Sequence, residues 1–333
     1  MDLDARLSAV AGYPFIDLAC ERVPPIRRLQ TDRIDMADTE QAFSPETLVS
    51  GLTRLLTVEP LGNSRYRGSR RFGGEGRIFG GEVIAQALMA ATATVAPDRA
   101  VHSLHAYFLR GGSEDHDIIY LVEHDFDGGS FSNRRVIALQ QDRPILNLAA
   151  SFKTIEDGVS HQDTMPDVPA PEELTDEASL RRTVIDQIPE RFRKMMLSPR
   201  PIEFRPVETR HWMNSEKREP LTHSWFRTVA PLGDDPALHR AILAYVSDMT
   251  LLGTCALPHG LSWTTGELQS ASLDHAIWLH DDFRCDEWML YVTDSPWAGH
   301  ARGFNRGRIY ARDGRLVASV AQEGMIRKIV QKS

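Results

Sequence analysis

Three side chains in the C-terminal half could between them manage a water molecule. Asp248 stands in Tyr245-Val246-Ser247-Asp248-Met249, Ser272 in Ser270-Ala271-Ser272-Leu273-Asp274-His275, and Gln322 in Ala318-Ser319-Val320-Ala321-Gln322-Glu323-Gly324. A carboxylate can take a proton from water. A hydroxyl and a carboxamide each donate and accept, so they can hold that water in line for attack. Asp248 draws attention first, because a carboxylate inside an otherwise apolar helical run is costly unless it is hydrogen-bonded or put to use. Taken singly, each has an ordinary structural reading: an ion-paired or capping Asp, a strand serine, a solvent-facing strand glutamine. The three are spread over 75 positions, so the fold must bring them together.

An internal repeat says how. Aligning His105-Ala106-Tyr107-Phe108-Leu109 with His275-Ala276-Ile277-Trp278-Leu279 gives an offset of 170 residues that continues through Val122 against Val292. After one insertion Arg135 meets Arg306 and Ile145-Leu146 meets Leu316-Val317. This alignment sets Ser151 against Gln322 and His102 against Ser272, so the first copy lacks the full trio, and it marks the recurring His105 and His275 as packing residues. Two copies at such spacing mean two similar domains rather than a solenoid.

Each copy opens with an apolar helix, Gly80-Gly81 through Ala91 and Leu238 through Leu252, with so little polar surface that it must be enclosed. Extended segments follow, such as Ile118–Val122, Arg134–Leu139 and Ile145–Phe152, separated by Asp-Gly-Gly and Gln-Gln-Asp-Arg turns. The expected class is α+β: a double hot-dog, two tandem copies of a long helix wrapped by an antiparallel β-sheet. The expected organisation is an N-terminal extension over 1–47, hot-dog domains over 48–157 and 201–333, and a Pro- and acid-rich linker over 158–200 with a short helix near Glu177–Ile188.

With 333 residues, 42% hydrophobic and 25% charged, the chain can bury a sizeable core, and its net charge of -8 argues against a nucleic-acid footprint. The N-terminus is acidic where a secretory signal would be basic, and no uninterrupted apolar run approaches roughly 18 residues. No membrane span is therefore expected. The terminal Gln331-Lys332-Ser333 is not the Ser-Lys-Leu peroxisomal address, and the expected location is cytoplasmic. Cys20, Cys255 and Cys285 show no zinc spacing, so no metal is expected. Gly73-Gly74-Glu75-Gly76-Arg77-Ile78-Phe79 lacks the third glycine of a dinucleotide fingerprint, and no Gly-x-Ser-x-Gly elbow appears.

Three segments carry a resemblance: Phe79-Gly80-Gly81-Glu82-Val83-Ile84-Ala85-Gln86-Ala87-Leu88, Val101-His102-Ser103-Leu104-His105-Ala106-Tyr107-Phe108-Leu109-Arg110 and Gly129-Ser130-Phe131-Ser132-Asn133-Arg134-Arg135-Val136. With Leu257-Pro258-His259-Gly260, Leu273-Asp274-His275, Ala301-Arg302-Gly303-Phe304 and Gln322-Glu323-Gly324, the chain resembles the acyl-CoA thioesterase II family from about residue 50 to 327. The resemblance implies the double hot-dog fold and hydrolysis of fatty acyl-CoA to free acid and CoA, without a cofactor. Its Asp, Thr or Ser, and Gln catalytic set falls on Asp248, Ser272 and Gln322. Thr is common at the middle position, and Ser272 keeps the hydroxyl. Substrate contacts are expected at Gly80 and Gly81, whose amides could receive the thioester oxygen, and at Arg134 and Arg135, which could meet CoA phosphates. Hot-dog sheets pack against one another, so a homo-oligomer is compatible with this reading. The alternatives are a hot-dog enoyl-CoA hydratase, which would carry a histidine just after Asp248, and an acyl-CoA-binding protein without turnover.

Overall fold

The structure is a computed structural model, and it describes residues 44–71, 76–208, 216–263 and 267–329, with the backbone alone at 191. Most of the N-terminal extension, Cys20 and residues 73–75 of the glycine-rich stretch lie outside the described residues. Helix α1, Pro45–Leu56, was given no element by the sequence reading, yet it carries ordinary start signals. Ser44 caps it by accepting from the Thr47 N–H at 3.2 Å, and Pro45 takes the first turn, where no N–H is needed.

Strands β1 (Val58–Gly62) and β2 (Arg65–Gly68) precede the first enclosed helix, α2 (Gly80–Thr92), and then β3 (Arg99–Phe108), β4 (Ile118–Asp127), β5 (Phe131–Gln140) and β6 (Arg143–Thr154). The connecting segment holds α3 (Glu177–Val184) and α4 (Glu190–Leu197). The second half runs β7 (Ile202–Pro206), β8 (Leu221–Thr228), α5 (Pro236–Ser247), a 3-10 helix (Leu251–His259), β9 (Leu268–Ser272), β10 (Asp274–Leu279), β11 (Met289–Gly299), β12 (Arg302–Ala311) and β13 (Leu316–Lys328). One antiparallel 13-stranded sheet joins them in the order β1-β2-β4-β5-β6-β3-β10-β13-β12-β11-β8-β7, with β9 on β13. The order is a palindrome about the β3–β10 seam, as two copies joined edge to edge require.

Both long helices lie inside the curve of this sheet. Ile84, Leu88, Ile242 and Val246 share one core with Tyr120, Phe152 and Tyr291 of the strands. The stretch Pro236–His259 is apolar and long enough to cross a membrane by composition, and two thirds of its most apolar window is buried in this core. Helix α2 is less apolar than its sequence pattern suggested: Gln86 is fully buried, accepting from the Tyr120 hydroxyl at 2.8 Å and donating to the Leu55 and Ser69 carbonyls. Such a carboxamide is tolerated because both of its ends are satisfied.

The sheet register corrects the alignment of the two halves. His275 is paired directly with Ala106, and both are buried, whereas the neighbouring His105 is exposed. Directly paired residues share a face and successive ones alternate, so His105 and His275 point to opposite sides and are not equivalent. Arg135 and Arg306 do correspond, since each forms an ion pair with the carboxylate opposite it, Glu123 and Asp294 respectively. On their other flank they face Ala149 and Ala321. The ladder then matches Arg134 with Asn305 and Ala150 with Gln322, and the pairing of Val101 with Phe152 matches that of Ser272 with Gly324. The first half thus carries Val101 and Ala150 where the second carries Ser272 and Gln322. His102 and Ser151 bond to each other at 2.8 Å, with Ser151 on the face of β6 away from the core.

Candidate active site

Asp248 is not inside a helix, as the sequence pattern suggested, but caps the C-terminus of α5 with φ -86° and ψ -11°. Asp235 and Pro236 start α5 in the usual way, and after Thr250 the chain tightens into the 3-10 helix, which Gly260 closes at φ 62°. Sheet register supplies the other two groups. Ser272 ends β9 directly opposite Gly324 of β13, which puts it diagonal to Gln322 on the same face. Gly324 leaves the room for this: a Cβ there would stand 2.2 Å from a Leu252 methyl and 3.0 Å from the Ala271 carbonyl oxygen.

The three side chains meet. Gln322 donates from Nε2 to Asp248 Oδ1 at 2.6 Å and to Ser272 Oγ at 3.1 Å, and Ser272 Oγ lies 3.5 Å from the same carboxylate oxygen. Both amide hydrogens of Gln322 are thereby used. Its role is to fix the carboxylate and the hydroxyl, while Ser272 points its own hydrogen at the same carboxylate oxygen over a long 3.5 Å contact. Gln322 is fully buried and Asp248 nearly so, whereas Ser272 is half-buried. Burial pushes the Asp248 carboxyl up to about 6, against the pull of hydrogen bonds from Gln322, the Gly81 backbone amide and Ser272. A carboxylate at a helix C-terminus also meets the negative end of the helix dipole.

Gly81 brings the first half into the site. A Cβ on Gly81 would lie 2.5 Å from the Tyr245 carbonyl oxygen, and one on Gly80 would lie 2.8 Å from Asp248 Oδ2 and 2.9 Å from the Phe108 ring. Paired glycines are therefore what lets the N-terminus of α2 approach the C-terminus of α5. Phe79 packs edge-on to Tyr245 at 5.1 Å beside them. The next residue, Glu82, is almost fully buried, with Arg71 3.4 Å away; burial and Glu114 push its carboxyl up to about 8. Glu82 is absent from the site residues expected from the sequence, although a charged residue directly after Gly-Gly in an enclosed helix is a signal.

The two arginines expected at CoA phosphates are engaged within the protein. Arg134 is buried, and its guanidinium donates to the Thr94 hydroxyl and carbonyl, the Phe126 and Asn133 carbonyls and Asp127. All five donors are spent within the protein, so it cannot hold a phosphate. Arg135 is exposed between Glu123 and Asp125, two carboxylates that would repel one. We expect Arg135→Ala to leave KM for acyl-CoA unchanged and Arg134→Ala to lower stability by about 3 kcal/mol, also without a KM effect, because its cost is a buried hydrogen-bond network. Denaturant melts and steady-state kinetics on the two variants check this.

Comparison with known proteins shows the family. A family model described as acyl-CoA thioesterase matches residues 193–325, and one described as acyl-CoA thioesterase N-terminal domain matches residues 69–153. The human protein named acyl-coenzyme A thioesterase 8 is 39% identical over 288 residues, covering 83% of this chain and 88% of that one. Acyl-CoA thioesterase 2 of Haemophilus influenzae is 36% identical over 280 residues, covering 84% and 98%. This chain belongs to the acyl-CoA thioesterase family. The solved structure of an acyl-CoA thioesterase II, TesB2, from Mycobacterium marinum superposes on this thioesterase with a TM-score of 0.68 at 39% identity, covering 84% of this chain and all of that one. The fold is the double hot-dog and the protein is a thioester hydrolase.

Proposed function

We propose that this thioesterase hydrolyses fatty acyl-CoA by direct attack of a water molecule that Asp248 deprotonates. The carrying observation is that one amide nitrogen, Gln322 Nε2, ties Asp248 and Ser272 into a single cluster. Asp248 takes one proton of the water as its oxygen bonds to the thioester carbonyl carbon. Ser272, whose 3.5 Å bond to Asp248 is long enough to be exchanged for one to water, orients that water. The negative charge that develops on the carbonyl oxygen requires N–H donors, and the N-terminus of α2 at Gly80, one residue from the amide that serves Asp248, is the group we assign to it. Collapse of the tetrahedral intermediate breaks the C–S bond, and the proton held on Asp248 passes to the departing sulfur.

Asp248 must be ionised to act as base. With the carboxyl of the free enzyme near 6, kcat/KM should fall as pH drops through about 6 and level off above 7. Stability moves the opposite way. An acid whose folded value is raised contributes most stability below its unfolded value of 3.8, and that contribution is lost as pH rises towards 6. A lift of this size costs the ionised form about 3 kcal/mol. Asp248→Asn is therefore expected to gain stability relative to the wild type between pH 4 and pH 7, read as the difference in Tm at each pH. A difference that stays constant with pH would contradict a raised carboxyl. Release of free CoA thiol from short, medium and long acyl-CoAs tests the activity and sets the chain-length preference; intact recovery of every bound acyl-CoA would replace hydrolysis with binding.

A further inference from the structure

His275 lies directly beneath the cluster and has no part in the mechanism above. It is fully buried on β10, facing the C-terminal turn of α5. Its Nε2 sits 2.8 Å from Ser247 Oγ, and Ser247 Oγ in turn donates its single hydrogen to the Ala244 carbonyl at 2.9 Å. A hydroxyl that has spent its hydrogen can only accept from the ring, so Nε2 carries the proton and Nδ1 is a bare lone pair. That Nδ1 has no hydrogen-bond partner, and it stands 3.9 Å from Asp248 Oδ1, the carboxylate oxygen that Gln322 holds.

An acceptor aimed at a buried carboxylate is an unfavourable pairing with the ionised form and a favourable one with the acid. It becomes a hydrogen bond only when the carboxyl carries a hydrogen and closes the last part of an ångström. We propose that His275 is a positioning residue for hydrolysis: a neutral imidazole, locked as the Nε2–H form by Ser247, whose Nδ1 receives the hydrogen of Asp248 once that carboxylate has taken a proton from water. This rests on Asp248 acting as the base. No charge is moved onto the ring. The proton stays on Asp248 Oδ1, shared with Nδ1, until the C–S bond breaks and the sulfur takes it, so the atoms balance with water and thioester alone.

Burial supports the neutral ring, since it pushes the imidazole down to about 3. The polar chain continues below, with the Tyr291 hydroxyl donating to the Ser247 carbonyl at 2.8 Å, so the turn that presents Ser247 is itself fixed. Among the described residues the titratable groups facing Asp248 are His275 from β10 and Tyr291 from β11. Tyr291 is pushed well above its ordinary value and stays neutral, and Glu82, one residue beyond Gly81 on α2, faces Arg71 with its carboxyl pushed up to about 8, on the alkaline side of the Asp248 limb. In the first half Leu104 takes the place of His275 by the corrected register, next to the apolar Val101 and Ala150, so the histidine accompanies the cluster and not the fold.

The test is the pH profile of kcat/KM, with kcat and KM read separately at pH 8, for wild type, His275→Leu, His275→Asn and His275→Gln. The Asn carbonyl can stand in for Nδ1, whereas the longer Gln reaches the Ser247 side. We expect His275→Leu and His275→Gln to lose about 10-fold in kcat, less than the roughly 10²-fold or more that a general base itself contributes, because His275 acts through Asp248. KM should be unchanged and the acid limb moved to lower pH. His275→Asn should keep both the rate and the limb. Equal losses in Asn, Gln and Leu, with the acid limb fixed, would reduce His275 to packing and overturn the proposal. If His275→Leu does not fold, the Asn and Gln pair decides alone. Failure of the underlying reading shows separately, as Asp248→Asn retaining wild-type turnover.

Discussion

Asp248→Asn should lower kcat by about 10³-fold or more, within the range that a positioned base contributes, while leaving KM for acyl-CoA within a few-fold. The Asn side chain keeps an oxygen for Gln322 Nε2, so the cluster can stay assembled, but it cannot accept a proton from water. The loss should be the same for short and long acyl chains, because in the proposed mechanism the carboxylate acts on the water and not on the chain. Steady-state thiol release at pH 7 to 8, where the wild-type carboxylate is ionised, is the measurement. A variant that loses affinity but keeps turnover would make Asp248 a binding group.

Gly81→Ala should damage stability and activity together. Its new Cβ would begin 2.5 Å from the Tyr245 carbonyl oxygen, a backbone atom that cannot rotate aside. The helices must part, and overpacking of this kind costs about 1–3 kcal/mol. The same shift moves the Gly81 amide from Asp248 and the α2 N-terminus from the position proposed for the thioester oxygen. Gly80→Ala differs in an informative way, since its Cβ would meet the Asp248 carboxylate and the Phe108 ring, both side chains that can yield. It should melt closer to the wild type than Gly81→Ala and still lose most of its turnover. Thermal melts beside kcat for the two variants separate these outcomes, and equal melting temperatures would contradict the helix contact.

Much of this was readable in the chain, and the misses share one physical cause. The enclosed helices were legible because Val83, Ile84, Ala87 and Leu88, or Leu238, Ile242, Leu243 and Val246, leave no polar face to turn outward. The strands that follow were legible from their turns. The face a strand residue occupies was not, because it alternates with every position and one misplaced residue inverts the assignment. This is why His105 was matched with His275, and Ser151 with Gln322, although the ladder sets Ala150 opposite Gln322 in the repeat. Arg134 was misread for a related reason: only the folded hairpin shows that its guanidinium turns onto Thr94 and Asp127 instead of towards solvent. His275 was set aside because recurrence looked like packing. Its bare Nδ1 is visible only once Ser247 and Ala244 are in place.

In the proposed mechanism water attacks the thioester directly, with neither Ser272 nor Asp248 acylated on the way. The most direct test is a rapid-quench experiment with enzyme in excess over the best acyl-CoA, following CoA thiol, free acid and the intact mass of the protein. Direct attack requires thiol and free acid to appear with one rate constant and the protein mass to remain that of the free chain throughout. A burst of thiol ahead of free acid, with a protein species heavier by the acyl group, would contradict it.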